Sequence, residues 1–270
     1  MSEEKIIKRT KEPVTINTIH QDLIKLGINN NDTLLVHSSL SSLGWVCGGA
    51  QAVLMALMNG LANEGTLVMP AHSGSWSDPA EWKNPPVPKE WVQTLYDNMP
   101  AYEAKKTPTG GMGKIAELFR TFPNTIRSNH PQVSFSANGK FALQITEKHP
   151  LTPGLGMDSP LGKMYNLKAK VLLLGVDYDS CTSFHLAEAL ISEMPIKKQG
   201  TALLENGKRC WKWFDDYDYS SDDFMLIGKA FEDTYNVKKG RIGKAECKLF
   251  EMKDGVDFAK RWLIKNRFGE

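Results

Sequence analysis

Three short, unbroken apolar runs constrain this chain most: TLLVHS at 33–38, GTLVMP at 65–70 and VLLLGV at 171–176. Runs of this length and composition read as strands buried on both faces, the pattern of a parallel sheet covered by helices. Between the first two lies Ala50 to Leu61, a helix pattern rich in Ala, Leu and Met. Strand, helix, strand at this spacing is a βαβ unit. The expected fold class is therefore α/β, with a central, mostly parallel sheet and flanking helices.

The rest of the chain can be read around that unit. Ile16, Ile19, Leu23, Ile24 and Leu26 recur at helical spacing, and Gly27 supplies a stop. Residues 71–110 contain Trp76, Trp82, Trp91 and six prolines with little periodicity. Stiff and aromatic, they read as a long structured excursion over the sheet rather than a linker. Short helices are expected near Lys114 to Thr121 and around Phe141, and Ser159-Pro160 reads as a helix cap. In the last third, TALLE-NG-KRCWKW predicts a hairpin, because Asn206-Gly207 suits a two-residue turn. Helices near Leu226 to Thr234 and Val256 to Ile264 follow. The whole, 1–270, reads as a single domain, with about 200–270 forming an antiparallel β-rich hairpin-plus-helix subregion.

Composition excludes several function classes. A net charge of +2 provides no global field for nucleic acid. No apolar run approaches the roughly 18 residues of a membrane span, and MSEEKIIKRTKEP lacks the apolar region of a signal peptide. The four cysteines lie far apart without a C-x-x-C pair, so no metal is expected, and reduced thiols fit a cytoplasmic protein.

Four segments could carry chemistry. Past the strand at 171–176, His185 and Glu188 stand three apart on one helical face. An imidazole beside a carboxylate there suits a general base, and an ordinary helical His–acid pair is the alternative. HSSLSSLGWVCGG at 37–49 joins a strand to a helix through small residues that let a ligand approach the backbone. It is neither a Walker loop nor G-x-G-x-x-G, and an ordinary turn fits it equally. TPTGGMGKIAELFR at 107–120 is a second Gly-rich entry to a helix. Asp215, Asp216, Asp218, Asp222 and Asp223 form an acidic run between Trp and Tyr residues, suited to ammonium groups or to a solvated turn. His72 in PAHSGSW and His130 in RSNHPQVS are further candidates.

In their order, HSSLSSLGWVCGGAQAVLMAL, GTLVMPAHSGSW, TPTGGMGKIAELFR, RSNHPQVSFSANG, SPLGKMYNLKAKVLLLGV, TSFHLAE and WFDDYDY resemble one family, the aminoglycoside 3-N-acetyltransferases. These enzymes differ in fold from the GNAT acetyltransferases. The chain looks like a chromosomal or phage-borne relative. The resemblance implies acetyl transfer from acetyl-CoA to the 3-amine of an aminocyclitol. His185 would be the base, with Glu188 and Asp215 as its acids. His37, Ser38, Ser39, Leu40, Ser41, Ser42, Leu43, Gly44 and Val46 would hold coenzyme A, with Thr109, Gly110 and Met112 as a neighbouring wall. His72, Ser73, Asp216 and Asp218 would face the amine substrate. The family reads F-E-D-F-D where this chain has FDDYD, so Asp215 replaces a glutamate. The implied partners are coenzyme A and a small amine, with no nucleic acid or membrane, and a homo-oligomer is left open. Three other readings remain: a Cys181/His185 hydrolase, a metalloenzyme using His72, His130, His185 and Glu188, and a non-enzymatic coenzyme A binder.

Overall fold

The computed structural model describes residues 2–269. Its strands are β1 (Thr33–Ser38), β2 (Thr66–Pro70), β3 (Ile126–Arg127), β4 (Phe135–Gly139), β5 (Lys170–Leu174), β6 (Ile196–Glu205), β7 (Lys208–Tyr217), β8 (Lys238–Ile242) and β9 (Ala245–Glu251). Seven of them form one sheet in the order β3-β4-β2-β1-β5-β9-β8, while β6 and β7 form a separate two-stranded ribbon. The three apolar runs of the sequence are its centre. There β1 pairs in parallel with β2 on one side and β5 on the other.

The chain is α/β, as the apolar runs require, but the parallel character is confined to these three strands. The β3–β4, β4–β2, β5–β9 and β9–β8 pairings are antiparallel. A short connection such as the one between β8 and β9 can only reverse the chain, whereas parallel neighbours need a crossover. The C-terminal β structure is therefore split: β6–β7 stands apart, and β8–β9 extends the main sheet beside β5.

Continuous apolar strands bury both faces. Leu34, Val36, Leu172 and Leu174 join one core with Ile19, Leu23, Leu54 and Phe119. Leu35, Val171 and Leu173 join the other with Tyr178, Phe184, Phe224 and Leu263. Helix ends follow local chemistry. Ile16–Leu26 begins with a capping box, in which the Thr15 hydroxyl accepts from Thr18 N at 3.2 Å and the Thr18 hydroxyl from Thr15 N at 2.9 Å. It stops at Gly27 with φ of 100°. Ser159 caps Pro160–Asn166 as expected. The final helix, Met252–Arg267, extends beyond the expected bounds at both ends. The hairpin turn is Asn206-Gly207, with φ of 51° and 76°, both positive as a type I′ turn demands. No helix among the described residues is long and apolar enough to cross a membrane.

The chain leaves the carboxyl end of β1 toward β2, and β5 lies on the opposite side, so the order of the sheet reverses at β1. Open α/β sheets hold ligands at such a point.

Candidate active site

The loop after β1 is fastened to the loop after β5. Ser39 N donates to Leu174 O at 3.0 Å, and the Ser42 hydroxyl donates to Gly175 O at 2.9 Å. Gly175 has φ of 69°, and a Cβ there would come within 2.6 Å of the Ser42 Cβ, so the approach needs glycine. A single 3₁₀ turn, Leu40–Leu43, then leads toward the helix Gly49–Leu61.

Between this loop and the helix Gly113–Arg120 lies a cavity of about 740 Å³. His37, Ser38, Ser39, Leu40, Ser41, Gly44, Val46 and Met112 line it. Leu43 is instead buried in the core, and Ser42 holds the two loops together. Thr109 and Gly110 stand behind the wall: Thr109 N donates to Glu117 Oε2 at 2.9 Å and Gly110 N to His72 O at 2.8 Å. Burial alone would raise the Glu117 carboxyl, but hydrogen bonds from Arg120 and Thr109 prevail and hold it at about 2. Glu3 and Ile6 of the N-terminal helix Glu3–Arg9 also reach the cavity. In the sequence this stretch was only a charged lead, because helix–cavity contact leaves no local signal.

The segment after β5 carries the dyad. Asp177 caps a 3₁₀ turn at Tyr178–Ser180, and the helix Phe184–Ala189 follows. His185 Nδ1 lies 2.6 Å from Glu188 Oε2. The Glu188 side chain has no exposure, whereas the imidazole keeps 18%. Glu188 Oε1 accepts from Ser220 N at 3.1 Å and from Arg267 Nη1 at 2.5 Å. Tyr219 and Phe224 flank the imidazole, with ring centroids at 5.5 and 4.7 Å. A carboxylate on Nδ1 fixes the proton there and leaves Nε2 with a free lone pair. His185 itself is not in the cavity lining, but Val176 and Ser180, on the way to it, are.

His37 and His72 stand close enough to feel the charge of His185. Burial first, and His185 next, push both imidazoles down to about 3. Neither Nε2 finds a hydrogen-bond partner. Both rings are therefore neutral near pH 7 and do not oppose a positive charge forming on His185.

Other candidates support the fold. Ser73 is buried, donates to Pro108 O at 2.7 Å and accepts from Arg127 Nη2 at 2.8 Å. The buried Arg127 also donates to Ala71 O at 2.6 Å and Thr107 O at 2.5 Å, pinning the base of the 71–110 excursion. His130 accepts from Gln132 N and Val133 N on Nδ1, and its Nε2 lies 3.2 Å from Leu151 O. Its ring nitrogens are occupied, and burial lowers it to about 4.

The acidic run divides by the strand's alternation. Asp215 is exposed, opposite Lys198 in the hairpin, and makes no contact with the dyad, so the structure does not place it as the acid of His185. Asp216 is buried and accepts from Gly154 N at 3.0 Å and Tyr217 N at 2.9 Å. Burial raises its carboxyl, and those backbone bonds oppose the rise. Asp218 is exposed. Asp223 is bound to Arg267 Nε at 2.9 Å. The position that sequence reasoning missed is Arg267, 79 residues from Glu188 with no local spacing to betray the contact.

The hydrolase alternative loses its ground. Cys181 is fully buried, and burial pushes its thiol up to about 12, so no thiolate is available to pair with His185. Among the described residues, no group of three or more His, Cys, Asp or Glu could hold a metal ion.

Fold and site together define an α/β enzyme with a His–Glu dyad beside a strand-end cavity. A family model for the aminoglycoside 3-N-acetyltransferases matches residues 35–264, and the chain belongs to that family and is an acyltransferase of its kind. It is 49% identical over 264 residues, 97% of both chains, to a protein of Bacillus subtilis named SPbeta prophage-derived aminoglycoside N(3')-acetyltransferase-like protein YokD. The YokD crystal structure superposes with a TM-score of 0.97, covering 99% of each chain. Aminoglycoside N(3)-acetyltransferase VII of Streptomyces paromomycinus is 32% identical, over 97% of this chain and 96% of its own. A solved structure described as AAC-IIIb binary with CoASH has 27% identity and a TM-score of 0.84, over 94% of this chain and 97% of that one.

Proposed function

We propose that this chain transfers acetyl from acetyl-CoA to the 3-amine of an aminoglycoside-like aminocyclitol, with His185 as general base. The observation that carries the reading is the 2.6 Å contact between His185 Nδ1 and the buried Glu188, which leaves Nε2 free on a ring whose charge reaches His37 of the cavity wall. The coenzyme-bound relative and the cavity lined by the loop after β1 support the donor. Gly113–Arg120 turns its N-terminus and Lys114 to that cavity, a setting that favours phosphate oxygens.

The chemistry follows from the acceptor. An ammonium cannot attack, so a proton must leave, and an imidazole titrates near neutral pH. One proton of the ammonium passes to solvent to give the free amine, and as its lone pair attacks the thioester carbon His185 Nε2 takes the second proton from that nitrogen. Glu188 stabilises the imidazolium as it forms. The tetrahedral oxyanion needs a donor. Ser39 N is already bonded to Leu174 O, so a neighbouring backbone N–H of the loop after β1 or the Thr182 hydroxyl is the candidate from this chain. Collapse expels the coenzyme thiolate, and the imidazolium returns a proton to it. No protein nucleophile is required, because the thioester is already activated. The dyad is complete without Asp215, so the aspartate there gives no reason to regard the chain as a mere coenzyme binder.

His185→Ala is expected to lower turnover about 100-fold or more, with coenzyme A affinity by calorimetry little changed. Release of free thiol with an aminoglycoside acceptor is the readout. Near-wild-type turnover in that variant would overturn the assignment.

A further inference from the structure

We infer that Arg267, in the last turn of the C-terminal helix, is a positioning residue that keeps Glu188 ionised and thereby sets which nitrogen of His185 carries the proton. The inference rests on the dyad reading above and extends it to a residue beyond the end of the family match at 264.

The guanidinium bridges three groups. Nη1 donates to Glu188 Oε1 at 2.5 Å, Nε to Asp223 Oδ2 at 2.9 Å and Nη2 to Ser220 O at 3.2 Å. Ser220 N donates to the same Oε1 at 3.1 Å, so one cation holds both the carboxylate and the loop that helps bind it. Glu188 is wholly buried, and a buried carboxylate without a cation takes up a proton. That protonation would reverse the dyad. A neutral Glu188 donates its hydrogen to Nδ1 and leaves the ring hydrogen on Nε2, the nitrogen that must be free to accept from the amine.

No other group nearby can substitute. The titratable groups facing the dyad from neighbouring elements are His37 near the end of β1, His72 after β2, Tyr219 and Asp223. Burial holds both histidines neutral and pushes the Tyr219 hydroxyl up. Asp223 is negative and already bound to Arg267. None of them brings a positive charge to Glu188. An arginine serves where a lysine would not fully, because its planar fork reaches two carboxylates and a carbonyl at once.

The test is the pH dependence of acetyl transfer between about pH 6 and about pH 9 in Arg267→Gln, Arg267→Lys and the wild type. Arg267→Gln is expected to lower kcat about tenfold at neutral pH, with KM for both substrates within about twofold, and to move the acid limb of the profile up by about one pH unit. The deficit then shrinks at alkaline pH. Arg267→Lys keeps the charge and is expected to recover most of the rate and most of the limb position. A loss equal at every pH, or no loss, overturns the inference. If the Gln variant does not fold, the Lys variant decides: a small shift in the same direction supports the inference, and an unmoved limb overturns it. His185→Ala separates this proposal from the one beneath it. Full activity there refutes the dyad. An inactive His185→Ala with an unmoved limb in Arg267→Gln refutes only the role of Arg267.

Discussion

Lowering the pH from 7 to 5 is expected to destabilise this protein strongly through its buried histidines. His37 and His72 are held at about 3 and His130 at about 4, with burial the main cause in each. His149 is displaced in the same direction, also by burial. A free imidazole titrates at about 6.5. These are depressed values, so the folded chain binds fewer protons than the unfolded one. Stability is complete above about pH 6.5 and drains away as the pH falls toward the folded values. At pH 5 the unfolded state has gained about 1.5 pH units of protonation per ring, or about 2 kcal/mol each. The three rings with stated values cost about 6 kcal/mol together, and His149 adds to that. A typical domain has only about 5–15 kcal/mol to lose. The assay is urea unfolding at half-unit pH steps, followed by tryptophan fluorescence, with imidazole proton shifts read by NMR. A change below about 2 kcal/mol between pH 7 and pH 5, or rings that titrate near 6.5 in the folded state, would refute the reasoning.

Two further outcomes follow from the same geometry. Cys181→Ser is expected to retain turnover within about twofold, because the thiol is buried and un-ionised, and a large loss in thiol-release assays would return the cysteine to the chemistry. Asp216→Asn is expected to destabilise the fold by about 1–3 kcal/mol while leaving kcat nearly unchanged, since one amide NH₂ must face the N–H of Gly154 or Tyr217. Thermal melting paired with steady-state rates checks it, and an unaltered melting temperature counts against it.

The legible parts of the sequence were those with a local cause. Apolar continuity marked β1, β2 and β5, Gly27 and Ser159 marked helix ends, and Asn206-Gly207 marked the hairpin. The i, i+3 spacing of His185 and Glu188 was visible for the same reason: one turn of helix brings the two side chains together. Strands β3, β4 and β8 were not legible. β3 and β8 are the edge strands, each with one neighbour, and KKGRI carries little apolar signal there, whereas β4 lies between β3 and β2 but its FSANG is too short and too polar to read as a strand. Asp215 was misplaced for a related reason. Strand alternation sends it and Asp216 to opposite faces, and which face is buried depends on what the hairpin packs against.

By itself the sequence determined the α/β class, the βαβ centre, the small-residue loop after β1 and the His–Glu pair, all consequences of contacts within a few residues. Only the tertiary structure decided that Arg267 and Ser220 hold Glu188, that His37 and His72 stand neutral beside His185, and that Cys181 and Ser73 are turned into the fold. Charge, burial and reach at those atoms depend on segments brought together from distant parts of the chain, and no pattern along the chain encodes a distance in space.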